Sequence, residues 1–124
     1  MAFSGSPIIT SAGKSALIDK FESDAVSVTV RLTYIDSSDG DTSKFATSSA
    51  LTMSWGSSAI SIDASSLNVE FSIDEGDEVT KAELRYTDSS GTTTLDEYTE
   101  SGAVYTYGGK YVVTGWTLTL TGSV

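Results

Sequence analysis

Carboxylates are the most abundant ionisable groups in this chain of 124 residues, 17 in all, and two short stretches gather several of them. Asp36, Asp39 and Asp41 surround Gly40, while Asp74, Glu75, Asp77 and Glu78 surround Gly76. Hard cations take several oxygens from a short loop, so either stretch could in principle hold calcium. The first lacks the EF-hand spacing of oxygen ligands, turn glycine and closing glutamate, and reads better as a hairpin turn built on Asx and glycine chemistry. The second packs four carboxylates into one turn, where they repel unless solvated or countered; a solvated turn is the favoured reading, with a cation or a basic neighbouring surface as the alternative.

Paired carboxylates can also hydrolyse glycosides, which requires one acid of raised pKa at a fixed distance from its partner. With so many acids pairs arise by chance, and most sit in turns where solvent keeps their pKa values ordinary. Histidine and cysteine are both absent. That removes the usual base near neutral pH, the commonest transition-metal ligand, thiolate chemistry and disulfides together. No phosphate-cradling glycine loop is present. The expectation is a non-enzymatic protein with no catalytic residue, metal or cofactor.

Binding chemistry remains. Tyr98, Tyr105, Tyr107 and Tyr111 crowd the end of the chain, and exposed aromatic faces are what sugars and protein partners stack on, although cross-strand packing is the more ordinary use. Trp55 and Trp116 read as core, because Trp116 is in phase with Leu118 and Leu120. The net charge of −10 repels nucleic acid and anionic lipid and would favour solubility or a basic partner surface. No apolar run reaches the length of a membrane span, and the first residues carry no export signal.

The elements that must position these groups are mainly strands. Ser and Thr make up 39 residues and proline occurs once, a composition that leans to β-structure. Residues 1–9 read as an arm, with Phe3, Ile8 and Ile9 apolar around Ser4-Gly5-Ser6-Pro7. Thr10 or Ser11 can cap a short helix over residues 12–22, with Ala12, Ala16, Leu17 and Phe21 as its apolar stripe. Val26, Val28, Val30, Leu32 and Tyr34 alternate with polar residues, the period of a half-buried strand. The pattern blurs over residues 44–53, where Leu51 and Met53 face inward on a strand from Ala50 to Ser54. Ile60 and Ile62 share a face, as do Leu67, Val69, Phe71 and Ile73. Thr80, Ala82, Leu84 and Tyr86 form the inner face of the next strand. Residues 96–102 read as a loop, residues 103–107 as a strand, Gly108-Gly109 as a hairpin turn and residues 111–121 as one final strand. These elements predict an all-β chain: one antiparallel β-sandwich, or a barrel-like jelly roll, of about eight strands with one short N-terminal helix, in a single domain over 1–124.

The order of parts resembles that of small β-sandwich structural proteins of tailed bacteriophages, found as capsid decoration proteins and as tail or fibre components. A helix over residues 12–22 leads into Thr29-Val30-Arg31-Leu32-Thr33-Tyr34 and its Asp/Gly turn. Phe71-Ser72-Ile73 and the acidic turn lead into Val79-Thr80-Lys81-Ala82-Glu83-Leu84-Arg85-Tyr86, and the chain closes on Trp116-Thr117-Leu118-Thr119-Leu120-Thr121. No catalytic or binding motif accompanies the likeness, so no functional residue transfers. It implies a virion protein assembled in the host cytoplasm, most simply a decoration protein on the capsid, alternatively a tail or fibre component. The expected partners are a major capsid or tail protein and further copies of the chain, as a trimer; nucleic acid and membrane are not expected, and a glycan is possible. Phe3, Ile8, Ile9, Leu17 and Phe21 are the candidate partner-binding residues, acting through buried apolar area and through strand or arm exchange. The competing reading is a carbohydrate-binding or adhesion module that uses the tyrosines.

Overall fold

The computed structural model describes residues 9–120 other than Thr42 and Leu67. Among these residues helix α1 spans Ser11–Asp24 and is followed by nine strands: β1 (Ser27–Ile35), β2 (Lys44–Thr47), β3 (Met53–Trp55), β4 (Ala59–Ile62), β5 (Val69–Ile73), β6 (Glu78–Asp88), β7 (Gly91–Val104), β8 (Gly109–Val113) and β9 (Thr117–Thr119). One sheet has the order β2-β1-β6-β7; the other strands form a sheet β3-β4-β9 and a pair β5-β8, all antiparallel. Alternation along β1 turns Val28, Val30 and Leu32 into a core shared with Ala82, Leu84 and Tyr86 of β6, Ile62 of β4, Phe71 and Ile73 of β5, and Val113 of β8. Side chains from both layers thus meet between them, which makes the chain an all-β sandwich with one N-terminal helix.

Helix α1 begins where the cap chemistry predicts. Thr10 Oγ1 accepts from the Gly13 amide at 3.1 Å, satisfying one of the unpaired first-turn donors. Its buried residue is Ile18, fully out of solvent, whereas Leu17 is 45% exposed and Ala12 and Ala16 are exposed. The expected stripe is therefore rotated. Phe21 lies between Leu17 and Ile18 around the helix, so the apolar spacing admits either neighbour, and packing selects Ile18.

Four strand expectations are corrected in the same way. Thr80 is a bulge: the β1–β6 register shifts between Thr33 and Tyr34, and Val79, not Thr80, enters the core. The extra residue changes phase, because side chains alternate with a period of two. Residues 96–102 are no loop, since β7 continues through them, paired along β6 over residues 96–99 and again from Ala103, with residues 100–102 at a register shift. Gly108-Gly109 does not close a hairpin: β7 pairs with β6 and β8 with β5, so the turn carries the chain between layers. Gly108 needs its φ of +78° there, where a Cβ would stand 3.2 Å from the Ile73 carbonyl oxygen. The last strand is two, broken over residues 114–116, and Val112 faces solvent while Val113 is buried. Leu67 and Thr121, the predicted ends of two strands, lie outside the described residues.

Candidate functional site

The two acidic stretches are bound into the chain. In the β1–β2 turn, Asp36 Oδ1 accepts from the amide and hydroxyl of Ser38 at 2.8 and 2.6 Å, Asp39 Oδ1 accepts from the Asp41 amide and Asp41 Oδ1 from the Ser43 amide. Lys44 Nζ bridges Asp36 Oδ2 at 2.9 Å and Asp39 Oδ2 at 2.8 Å, standing where a cation would. The Ser38 hydroxyl and the Lys44 ammonium hold the Asp36 carboxyl down to about 2. Asp39 is lowered as well, chiefly by Lys44.

The turn after β5 is only partly solvated. Asp77 is 4% exposed, and its Oδ1 accepts from the Ser37 amide at 3.0 Å with the Ser37 hydroxyl at 3.1 Å. The same hydroxyl lies 3.0 Å from the Glu75 carbonyl oxygen. The Tyr105 amide donates to the Asp77 carbonyl, and the Gly76 amide to that of Tyr105. Three loops are cross-linked at this end of the sandwich. Among the described residues no three carboxylates converge as a metal-binding group.

The acids of the large sheet divide by face. On its outer face Glu83, 3% exposed, takes Arg31 Nε and Nη2 at 3.2 and 2.9 Å and the Thr94 hydroxyl at 2.7 Å. Arg31 also lies 4.1 Å from the Phe45 ring centroid. Glu97 stands directly across from Glu83, with Lys81 Nζ 3.8 Å from one and 3.7 Å from the other. On the inner face the register sets Asp96 across from Leu84 and Tyr98 across from Ala82. Leu95 is the extra residue that puts them there, at the register shift between Leu84 and Arg85.

Beside these residues runs a groove of about 420 Å³ between β7 and the segment from β8 towards β9. Tyr98, Tyr111 and Trp116 line it, together with Asp96, Glu97 and Val112. Trp116 Nε1 donates to Asp96 Oδ2 at 2.9 Å, and the Tyr111 hydroxyl to Glu100 Oε1 at 3.0 Å. Burial, and then the Glu100 carboxylate beside it, push the Tyr111 hydroxyl well above the ordinary phenol range. Tyr98 is 57% exposed.

The predicted partner residues divide. Phe3 and Ile8 lie outside the described residues. Ile9 is half-buried beside Gly13, where a Cβ would approach its Cγ2 to 3.3 Å. Leu17 is open to solvent. Phe21 is spent within the chain: its ring meets Tyr86 edge-on at 5.6 Å, and its carbonyl accepts the Tyr86 hydroxyl at 3.2 Å. Of the tyrosines, Tyr105 and Tyr111 pack against the core, Tyr107 is 92% exposed, and Trp55 and Trp116 are partly buried against the core. Because no hairpin forms at Gly108-Gly109, Tyr105, Tyr107 and Tyr111 are not on strands paired with one another. Asp96 and Glu100 are not among the candidates of the sequence, where their only signal is that every second residue from 96 to 100 could share a face with Tyr98. No helix among the described residues is long and apolar enough to cross a membrane. Comparison with protein-family models, with curated proteins and with solved structures finds no match.

Proposed function

We propose that the protein is a non-enzymatic structural component of a tailed-bacteriophage virion, a decoration protein seated on the capsid surface, with a tail or fibre position as the alternative. The observation that carries this reading is the packing of α1. The helix is anchored by Ile18 and Phe21 and turns Ala12, Ala16 and Leu17 to solvent. Exposed Leu17, with Ala12 and Ala16 beside the Lys20–Asp24 ion pair, gives a capsid or tail protein, or a further copy of the chain, a mixed apolar and charged helix surface to cover. The use of the carboxylates agrees with a structural role: Asp36, Asp77, Glu83, Asp96 and Glu100 each hold a named donor of the same chain.

Light scattering is expected to report a closed oligomer, a trimer. Deleting residues 1–9, or changing Leu17 to Glu, should dissociate it and abolish binding to capsids that lack the protein. A strict monomer whose particle binding is indifferent to both changes would refute the proposal.

A further inference from the structure

We propose that the groove between β7 and the β8–β9 segment binds a pyranose, neutral or carrying an amino group, of a surface glycan. Its rings are held in place before any ligand arrives, because Trp116 is tied to Asp96 at 2.9 Å and Tyr111 to Glu100 at 3.0 Å. Such prior fixing removes ordering cost from binding. The C–H face of a pyranose packs on aromatic rings, and Tyr98, Tyr111 and Trp116 provide three along one groove of about 420 Å³. That volume falls among small-ligand sites, which begin at roughly 300 Å³.

The polar groups narrow the choice further. The indole N–H and the Tyr111 hydroxyl proton are already donated within the chain, so the charged group the groove offers is an acceptor, Asp96 through its remaining lone pairs. A ligand must bring donors, which the hydroxyls of a sugar do. Charge excludes acidic sugars. Asp96 and Glu100 are countered by neutral donors, and Lys81, 3.7 Å from Glu97, is already shared with Glu83.

The test is a titration of the whole chain followed by the indole N–H resonance of Trp116 and the amide of Tyr98, with maltotriose, chitotriose, deacetylated chitotriose, sialyllactose and trilysine as probes. Saturable shifts are expected from at least one of the first three and none from sialyllactose. Tyr98→Ala should weaken that binding by about tenfold, the effect of removing one aromatic anchor, while the Trp55 indole resonance stays in place as a report of an intact fold. The proposal is overturned if none of the three neutral or amino saccharides gives a saturable shift, if Tyr98→Ala binds as the parent does, or if trilysine binds as tightly as the best saccharide, which would mark a cation site.

Discussion

Replacing Glu83 with alanine should cost the fold about 2–3 kcal/mol, a figure set by what is left behind. The change strands a guanidinium whose side chain is 21% exposed, with two N–H groups unpaired, and leaves the Thr94 hydroxyl without its acceptor. Removing one partner of a fully buried ion pair costs about 3–5 kcal/mol; water reaching Arg31 reduces that here. The Lys110–Glu70 pair is the control. It is equally short, 3.0 Å, but its side chains are 61% and 50% exposed, so Glu70→Ala should cost no more than about 1 kcal/mol. Urea unfolding of both variants at neutral pH measures the difference, and a double-mutant cycle with Arg31→Met isolates the pair. Acid adds a second reading. Burial acts to raise the Glu83 pKa, but the bonds from Thr94 and Arg31 and the charges of Arg31 and Lys81 outweigh it, so the folded value lies below the unfolded one. Stability from this group is therefore complete above the unfolded value and is lost as pH falls through the folded one. Glu83→Gln should be the less stable protein at neutral pH and should lose less on acidification. If Glu83→Ala and Glu70→Ala cost the same, the outer face is not held as described.

Three further outcomes follow from single contacts. Thr10→Ala should lower stability by about 1 kcal/mol through the lost cap, read by urea unfolding, with Thr10→Ser restoring most of it. Gly76→Ala should cost more than Gly40→Ala in the same assay. Both have positive φ, +85° and +71°, but only at Gly76 would a Cβ meet another group, Ser37 Oγ at 2.9 Å, so the strain of a left-handed alanine, about 1 kcal/mol, is common to both and the excess reports the clamp. Carbon-detected NMR titration should find Asp36 ionising at about 2; Lys44→Met should move it part of the way towards the ordinary carboxylate value, because the Ser38 bonds remain, and an unmoved midpoint would deny Lys44 its role.

What could be read from the sequence was whatever local periodicity decides. Val28, Val30 and Leu32 alternate and are buried, and Thr10 caps the helix by its own hydroxyl. What could not be read depended on a partner strand. Residues 96–102 have the composition of a loop, yet β6 supplies a ladder for residues 96–99 and takes the strand up again at Ala103, and pairing overrides local preference. Thr80 and Leu95 sit at register shifts whose added residue leaves no mark in composition but reverses every later side chain. Leu17 and Ile18 are both apolar and adjacent, so only the surface beneath the helix could choose between them.

The same dependence explains why the groove is where it is. A strand whose polar residues alternate onto the inner face must satisfy them there, and β7 does so at the margin of the sandwich, where the second layer reaches it with Trp116 and Tyr111 rather than with aliphatic side chains. On the opposite face the acids meet Arg31 and Lys81 and are neutralised. Neutral donors satisfy hydrogen bonds without cancelling charge, so Asp96 and Glu100 retain theirs. Counting acids by turn, as a sequence invites, singles out two stretches that the fold ties up with Lys44 and Ser37. Counting them by sheet face singles out β7, where acceptors and aromatic rings coincide. That coincidence arises from one bulge at Leu95; restoring regular pairing by deleting Leu95 would exchange the faces of the residues on one side of it, and should abolish saccharide binding at the groove.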